Sequence, residues 1–175
     1  TTMKRTKLLA LALAGVMALA LLTGCSGGKT EDRRIAENIA DIMMKRSHRN
    51  VKEVSYSVPE LSGAVQSAFA PDWLNEAGTG LKRDAITQDG RTVEVFLGDS
   101  LKAYEEGSNV YFFAFDATGE SAYAQSERVA QGKAPSLPVF SYRSVAPSSY
   151  TKLRVGVCHK TVGEKDYCLV VLVLA

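Results

Sequence analysis

The stretches Lys152-Leu153-Arg154-Val155-Gly156-Val157-Cys158-His159 and Tyr167-Cys168-Leu169-Val170-Val171-Leu172-Val173-Leu174 decide the fold. Both are strand candidates, and Lys160 to Asp166 between them contains Gly163 and reads as a turn. The pair is expected to form a hairpin. Val170 to Leu174 is too apolar for a half-exposed strand, which places it in the centre of a sheet covered on both faces. It is also too short to span a bilayer. Val110-Tyr111-Phe112-Phe113-Ala114-Phe115 has the same near-continuous apolar character and is expected to be a second central strand. Pro138–Ser144 is a further strand candidate.

A sheet buried on both faces needs helices to cover it. Glu31 to Arg46 carries Ile35, Ile39, Ile42 and Met43 on one stripe, with Ala36 and Ala40 beside them. Thr30 can cap this helix, Glu31 and Asp32 suit its positive end, and Lys45, Arg46 and Arg49 suit its negative end. Val54-Ser55-Tyr56 reads as a short extended piece. Ser57 followed by Glu60 has capping-box spacing, and Leu61, Ala64, Val65, Ala68 and Phe69 give a second apolar helical face that Pro71 ends. Asp72 to Ala77 reads as one more turn. Asp89-Gly90 between Asp84–Gln88 and Arg91–Leu97 predicts a two-residue hairpin, with Val93, Val95 and Leu97 alternating. A short helix is expected over Asp99–Glu106, with Leu101 and Tyr104 inward, and another over Glu120–Gln131, closed by Gly132. The class is α+β, with helices covering a largely antiparallel sheet.

Upstream of this domain, Lys4, Arg5 and Lys7 precede an apolar run from Leu8 to Leu22, the charge pattern of a secretory signal. Thr1-Thr2 are set aside, with Met3 as the expected start. The run is shorter than the roughly 20 residues a membrane-spanning helix needs. It ends in Leu22-Thr23-Gly24-Cys25, which resembles the lipobox of a bacterial lipoprotein precursor. The resemblance implies cleavage after Gly24 and diacylglycerol on the Cys25 sulfur. Two or three acyl chains give stable anchoring, at about 0.8 kcal/mol per buried CH₂. The expected organisation is a signal peptide over 1–24, a lipidated tether over 25–30 and one α+β domain over 31–175. The expected location is extracytoplasmic, lipid-anchored to a bacterial membrane.

Leaving out Lys4, Arg5 and Lys7 takes the 21 basic residues to 18, against 19 acids. A nearly neutral domain gives no support for nucleic-acid binding. With Cys25 lipidated, Cys158 and Cys168 remain. They are equally far from Gly163, as cross-strand partners would be, and secretion permits a disulfide. The alternative is two reduced, buried thiols acting as small hydrophobes. A zinc set would need more ligands than these two and His159 supply.

The catalytic inventory is thin. There is no G-x-S-x-G, H-E-x-x-H, P-loop or G-x-G-x-x-G, and the chain has only two histidines. No catalytic residue, metal or cofactor is assigned. His48 lies among Lys45, Arg46, Arg49 and Lys52; this is either a patch for anionic headgroups or wall polymer, or a solvated helix end. His159 next to Cys158 points to the opposite side of its strand, so the two make no catalytic pair, and a surface histidine is expected. Glu105-Glu106 and Asp84/Asp89 are carboxylate pairs with no evident partner to shift them. Trp73 and the tyrosines at 104, 111, 123, 142, 150 and 167 could line a groove, or simply pack.

Tyr56-Ser57-Val58-Pro59-Glu60-Leu61-Ser62 with Ala64 and Ala68, Ser149-Tyr150-Thr151 before Arg154-Val155-Gly156-Val157, and the closing Tyr167–Leu174 resemble segments of the CAP superfamily, the cysteine-rich secretory protein, antigen 5 and pathogenesis-related 1 group. The resemblance implies an α-β-α sandwich. Family members carry two His and two acidic residues around a cavity. Here Ser149 stands where a His would precede Tyr-Thr, and Ser57–Ala70 holds no His, so no functional residue carries over. The expected function is a non-enzymatic binding module at the cell surface, for an extracellular protein, glycan or lipid ligand. The alternatives are a cell-wall-active hydrolase with a degenerate site, or a transporter-associated binding lipoprotein.

Overall fold

The computed structural model describes residues 30–142 and 144–175. The leader, Leu22, Thr23, Gly24 and Cys25, and tether residues 26–29 lie outside the described residues. In chain order the elements are α1 (Glu31–Arg46), β1 (Glu53–Ser55), α2 (Gln66–Ala68), α3 (Val93–Ser100), β2 (Asn109–Asp116), α4 (Ala122–Ala130), β3 (Ser136–Ser141), β4 (Lys152–Val162) and β5 (Lys165–Leu174). The strands form one sheet of order β1-β4-β5-β2-β3. Only β1 and β4 run parallel; the other pairs are antiparallel. β5 occupies the middle of the sheet, as its unbroken apolar run requires.

Side-chain alternation sends β5 in two directions. Cys168, Val170, Leu172 and Leu174 pack with Ile35, Ile39 and Met43 of α1 and Val129 of α4. Leu169, Val171 and Val173 pack with Leu61, Phe69, Trp73 and Leu97 on the other face. The result is an α+β domain in α-β-α layers. On α1, Ile35 and Ile39 are fully buried at i, i+4 spacing, each contributing roughly 2 kcal/mol of apolar burial. The Ser126 hydroxyl of α4 is shared between the carbonyl of Ala122, 2.6 Å away in its own helix, and that of Ile35 on α1, 3.3 Å away.

The second face is built of shorter pieces. Leu61–Val65 is a widened i→i+5 turn that continues into α2, and Pro71–Trp73 is a 3₁₀ turn. Trp73 is completely buried against Phe69, Phe96 and Phe112, so it packs rather than lining a groove. Gly156 lets this layer close down on β4. A Cβ there would lie 2.6 Å from Val58 Cβ, inside any tolerable contact.

The Asp89-Gly90 region corrects the expected hairpin. The turn exists: Gly90 has φ +84°, and Thr87 N–H donates to the Arg91 carbonyl. Only one bridge, Ile86 to Thr92, follows it. Thr92 then caps α3 by accepting from Val95 N–H. Val93, Phe96, Leu97 and Leu101 are buried at helical spacing, while Val95 is exposed. The alternation of Val93, Val95 and Leu97 was incidental, because Phe96 and Leu101 complete a better helical stripe. The helix expected over Asp99–Glu106 is reduced to the 3₁₀ turn Lys102–Tyr104.

Cys158 and Cys168 are both free thiols, and the expected disulfide is corrected by register. The turn holds two residues, Gly163 and Glu164, because Val162 pairs with Lys165. Gly163 alone takes positive φ, +63°, which fits a type II′ turn with glycine first. Cys158 therefore faces Leu169, and Cys168 faces His159. One residue of offset sends the two sulfurs to opposite faces of the sheet. Each is buried in a different core, Cys158 beside Leu61 and Cys168 beneath α1.

Candidate functional site

α1 runs along β4 from the His159 end to the Lys152 end. Asp32, in its first turn, meets His159. Beyond its last turn, His48 stacks on Tyr150 and Lys52 N–H donates to the Thr151 carbonyl. The seven residue steps of β4 from Lys152 to His159 span roughly 23 Å. The two ends of the sheet carry different chemistry.

At the first end His159 is held on both sides. Its Nδ1 lies 2.6 Å from Asp32 Oδ1, and its Nε2 lies 2.8 Å from Gln125 Oε1 on α4. Gln125 Nε2 donates to the Glu120 carbonyl, which turns the amide oxygen toward the ring. Burial works against a charged imidazole. The hydrogen bond to Asp32, with the charges of Asp32, Asp166 and Glu31, outweighs it and raises the pKa above the ordinary 6.5. The expectation of a surface histidine is thus corrected: the His159 side chain is only 18% exposed. Cys168, its register partner, is fully buried, and burial together with Asp32, Cys158, Asp166 and Glu120 pushes its thiol well above the ordinary value. A protonated, inaccessible thiol is no nucleophile. Nothing in the spacing of residues 32, 125 and 159 marks them as neighbours; only the three-layer packing joins them.

At the other end His48 is 9% exposed rather than solvated. It stacks on Tyr150 with ring centroids 5.9 Å apart, and Ser47 Oγ lies 2.8 Å from its Nδ1. Burial lowers its pKa, against a smaller opposing pull from a hydrogen bond to Met43. Asn109 Nδ2 donates to the Tyr150 hydroxyl at 2.6 Å and ties this corner to β2.

Beside this corner opens a cleft of about 610 Å³. Lys52–Ser55 in and beside β1, Lys152, Leu153 and Arg154 of β4, and Val173 and Ala175 at the end of β5 all line it, so it lies across one end of three adjacent strands. β1 is an outer strand of the sheet. Lys152 and Arg154 of β4 form another wall, and Tyr104 and Glu106 the facing one. Arg154 donates to the Ser57 carbonyl and lies over the Tyr104 ring, 5.4 Å from its centroid. The Tyr104 hydroxyl donates to Glu60 at 2.6 Å; burial first, then this bond to a carboxylate, pushes its pKa up to about 12. Lys152 pairs with Glu53 at 3.2 Å. The cleft thus gathers Lys52, Lys152, Arg154, Glu53 and Glu106 around Tyr104, and no histidine lines it.

A second cavity, about 630 Å³, lies toward the other end among Asp72, Lys82, Asp116, Arg128 and Lys165. Its charges are largely committed: Lys165 pairs with Asp116 at 3.1 Å, and Arg128 pairs with Glu120 and covers the Phe115 ring. Asp89 is likewise a turn residue. Hydrogen bonds from Arg91 and Thr87 hold its carboxyl far below the usual range, and its pairing with Asp84 plays no part. Of the tyrosines, Tyr150 and Tyr167 are buried, Tyr104 lines the cleft, and Tyr123 and Tyr142 are exposed. Among the described residues, no group of three or more His, Cys, Asp or Glu is placed to hold a metal ion. Among the same residues, no helix is long and apolar enough to cross a membrane. Comparison with protein-family models, with curated proteins and with solved structures finds no match.

Proposed function

We propose that this chain is a lipoprotein, anchored through Cys25 on the outer side of a bacterial membrane, whose folded domain is a non-enzymatic binding module of CAP-like layering. The observation that carries the reading is the position of the cleft. The chain enters the domain at Glu31, at the His159 end of the sheet, and the cleft along Lys52–Ser55 lies at the opposite end. The five residues from Ser26 to Thr30 reach at most about 18 Å. Anchoring at Cys25 would therefore keep the start of α1, with the His159 end, near the membrane and turn the cleft away from it. An anionic group of an extracellular partner suits this cleft, with Lys52, Lys152 and Arg154 giving a small cationic excess over Glu53 and Glu106.

The hydrolase alternative has less support. The one buried His–carboxylate contact lines neither large cavity, and both ring nitrogens are engaged. Two experiments test the proposal. A fatty-acid analogue should label the wild type and not Cys25→Ser. On intact cells a membrane-impermeant maleimide should label Glu106→Cys, at the cleft, severalfold faster than Glu164→Cys, at the hairpin tip. Equal lipid labelling of Cys25→Ser overturns the anchor, and equal or reversed maleimide rates overturn the orientation.

A further inference from the structure

His159 faces an acceptor at each ring nitrogen. Asp32 is a carboxylate, which only accepts when ionised. Gln125 offers its carbonyl oxygen, because its amide nitrogen is already donating to Glu120. A neutral imidazole has one N–H and would leave one of these contacts as two acceptors face to face. Only the imidazolium satisfies both. The three residues come from three elements: α1, β4 and α4.

We propose that Asp32, His159 and Gln125 form a proton-dependent latch, in which an imidazolium bridging two acceptors fastens the first turn of α1 onto the sheet and α4. The latch holds when His159 is protonated and loosens when the proton leaves. The charged groups around the ring agree in sign. Asp32 and Glu31 face it from α1 and Asp166 from β5. The β5 neighbour Cys168 is a neutral thiol. On the α4 side Gln125 is neutral, and Arg128 is turned away to Glu120 and the Asp116 carbonyl. On its own strand, Lys160 projects to the opposite face, where its ammonium donates to the carbonyls of Ser67 and Phe69. No cation contacts the ring to expel its proton.

The direction in pH follows. Holding the proton more tightly in the folded state than the ordinary 6.5 makes the latch complete below about 6.5 and lost as pH rises through the folded value. Its opening has a built-in reporter. Cys168 sits opposite His159 in the sheet register, beneath α1, with no exposure. Cys158 lies on the other face, beside Leu61 and away from the imidazole. The latch does not depend on the lipid anchor.

The test is thiol labelling of the full chain between pH 6 and pH 9, read residue by residue by mass spectrometry. Taking the Cys168 rate relative to Cys158 removes the ordinary acceleration of thiol chemistry with pH. The ratio should rise severalfold across this range in the wild type. In Asp32→Asn it should already be high at pH 6 and change little. Gln125→Glu, which puts a second carboxylate on the ring, should move the rise to higher pH and serves if Asp32→Asn folds poorly. A wild-type ratio that stays flat, or a rise that Gln125→Glu leaves in place, overturns the latch.

Discussion

The two ends of α1 hold the chain's two histidines, and the same physical cost meets opposite outcomes there. Both rings are largely buried, and burial alone disfavours the charged form of each. At His48 the partners are a tyrosine ring, a serine hydroxyl and the Met43 backbone, none of which carries charge, so burial wins and the pKa falls below the ordinary 6.5. At His159 a carboxylate and an amide oxygen face the ring, and the pKa rises above 6.5. Partners, more than depth, decide the charge of a buried histidine. The ends differ in openness too. Both ring nitrogens of His159 are engaged, and the ring lines neither large cavity. At the His48 end Lys52, Lys152 and Arg154 line an open cleft.

Removing His159 should have the largest effect. His159→Phe leaves the Gln125 carbonyl oxygen and Asp32 without their donor, which should cost about 2 kcal/mol at pH 6, read by urea unfolding. A cost that does not shrink as pH rises would break the contrast, because the wild-type latch weakens as His159 loses its proton. Asp32→Asn should cost less, about 1 kcal/mol at pH 6, because Asp32 is 42% exposed and water screens the pair. That cost should shrink as pH rises, and unfolding curves at pH 6 and pH 9 check it.

His48→Phe should shift stability by less than about 1 kcal/mol at pH 8, since an aromatic ring replaces a neutral stacked one. Its pH dependence should have the other sign. A ring whose folded pKa lies below 6.5 costs nothing above about 6.5 and destabilises the wild type as pH falls below it. His48→Phe should therefore gain on the wild type in acid, where His159→Phe loses most. The smallest effect should come from reductant. With the two sulfurs on opposite faces of the sheet, dithiothreitol should leave Tm unchanged. A fall of several degrees would restore the disulfide and overturn the register.

Much of the fold was legible because long apolar runs leave few choices. Val170–Leu174 had to be central, and the stripe Ile35, Ile39, Met43 had to be a helix facing a sheet. The α+β class and the order of helices and strands followed from those. Short elements were harder. Val93 to Leu97 satisfied two periods at once, and Thr92, able to cap a helix, decided between them. Cys158 and Cys168 show how finely register depends on a turn: symmetry about Gly163 pointed to a pair, and a two-residue turn separated them by one position. The candidate sites were hardest. Asp32, Gln125 and His159 are brought together from three layers, and the cleft is walled by residues near 52, 104 and 152. No local pattern records such convergence.

The two histidines make one measurement decisive. Imidazole nitrogen–proton NMR spectra of the full chain at pH 6.5 give each ring's protonation separately. The account predicts that His159 is more than half doubly protonated, with Asp32→Asn lowering that fraction, while His48 is more than half neutral. A neutral His159 carrying one ring proton, or two histidines titrating together, would contradict it.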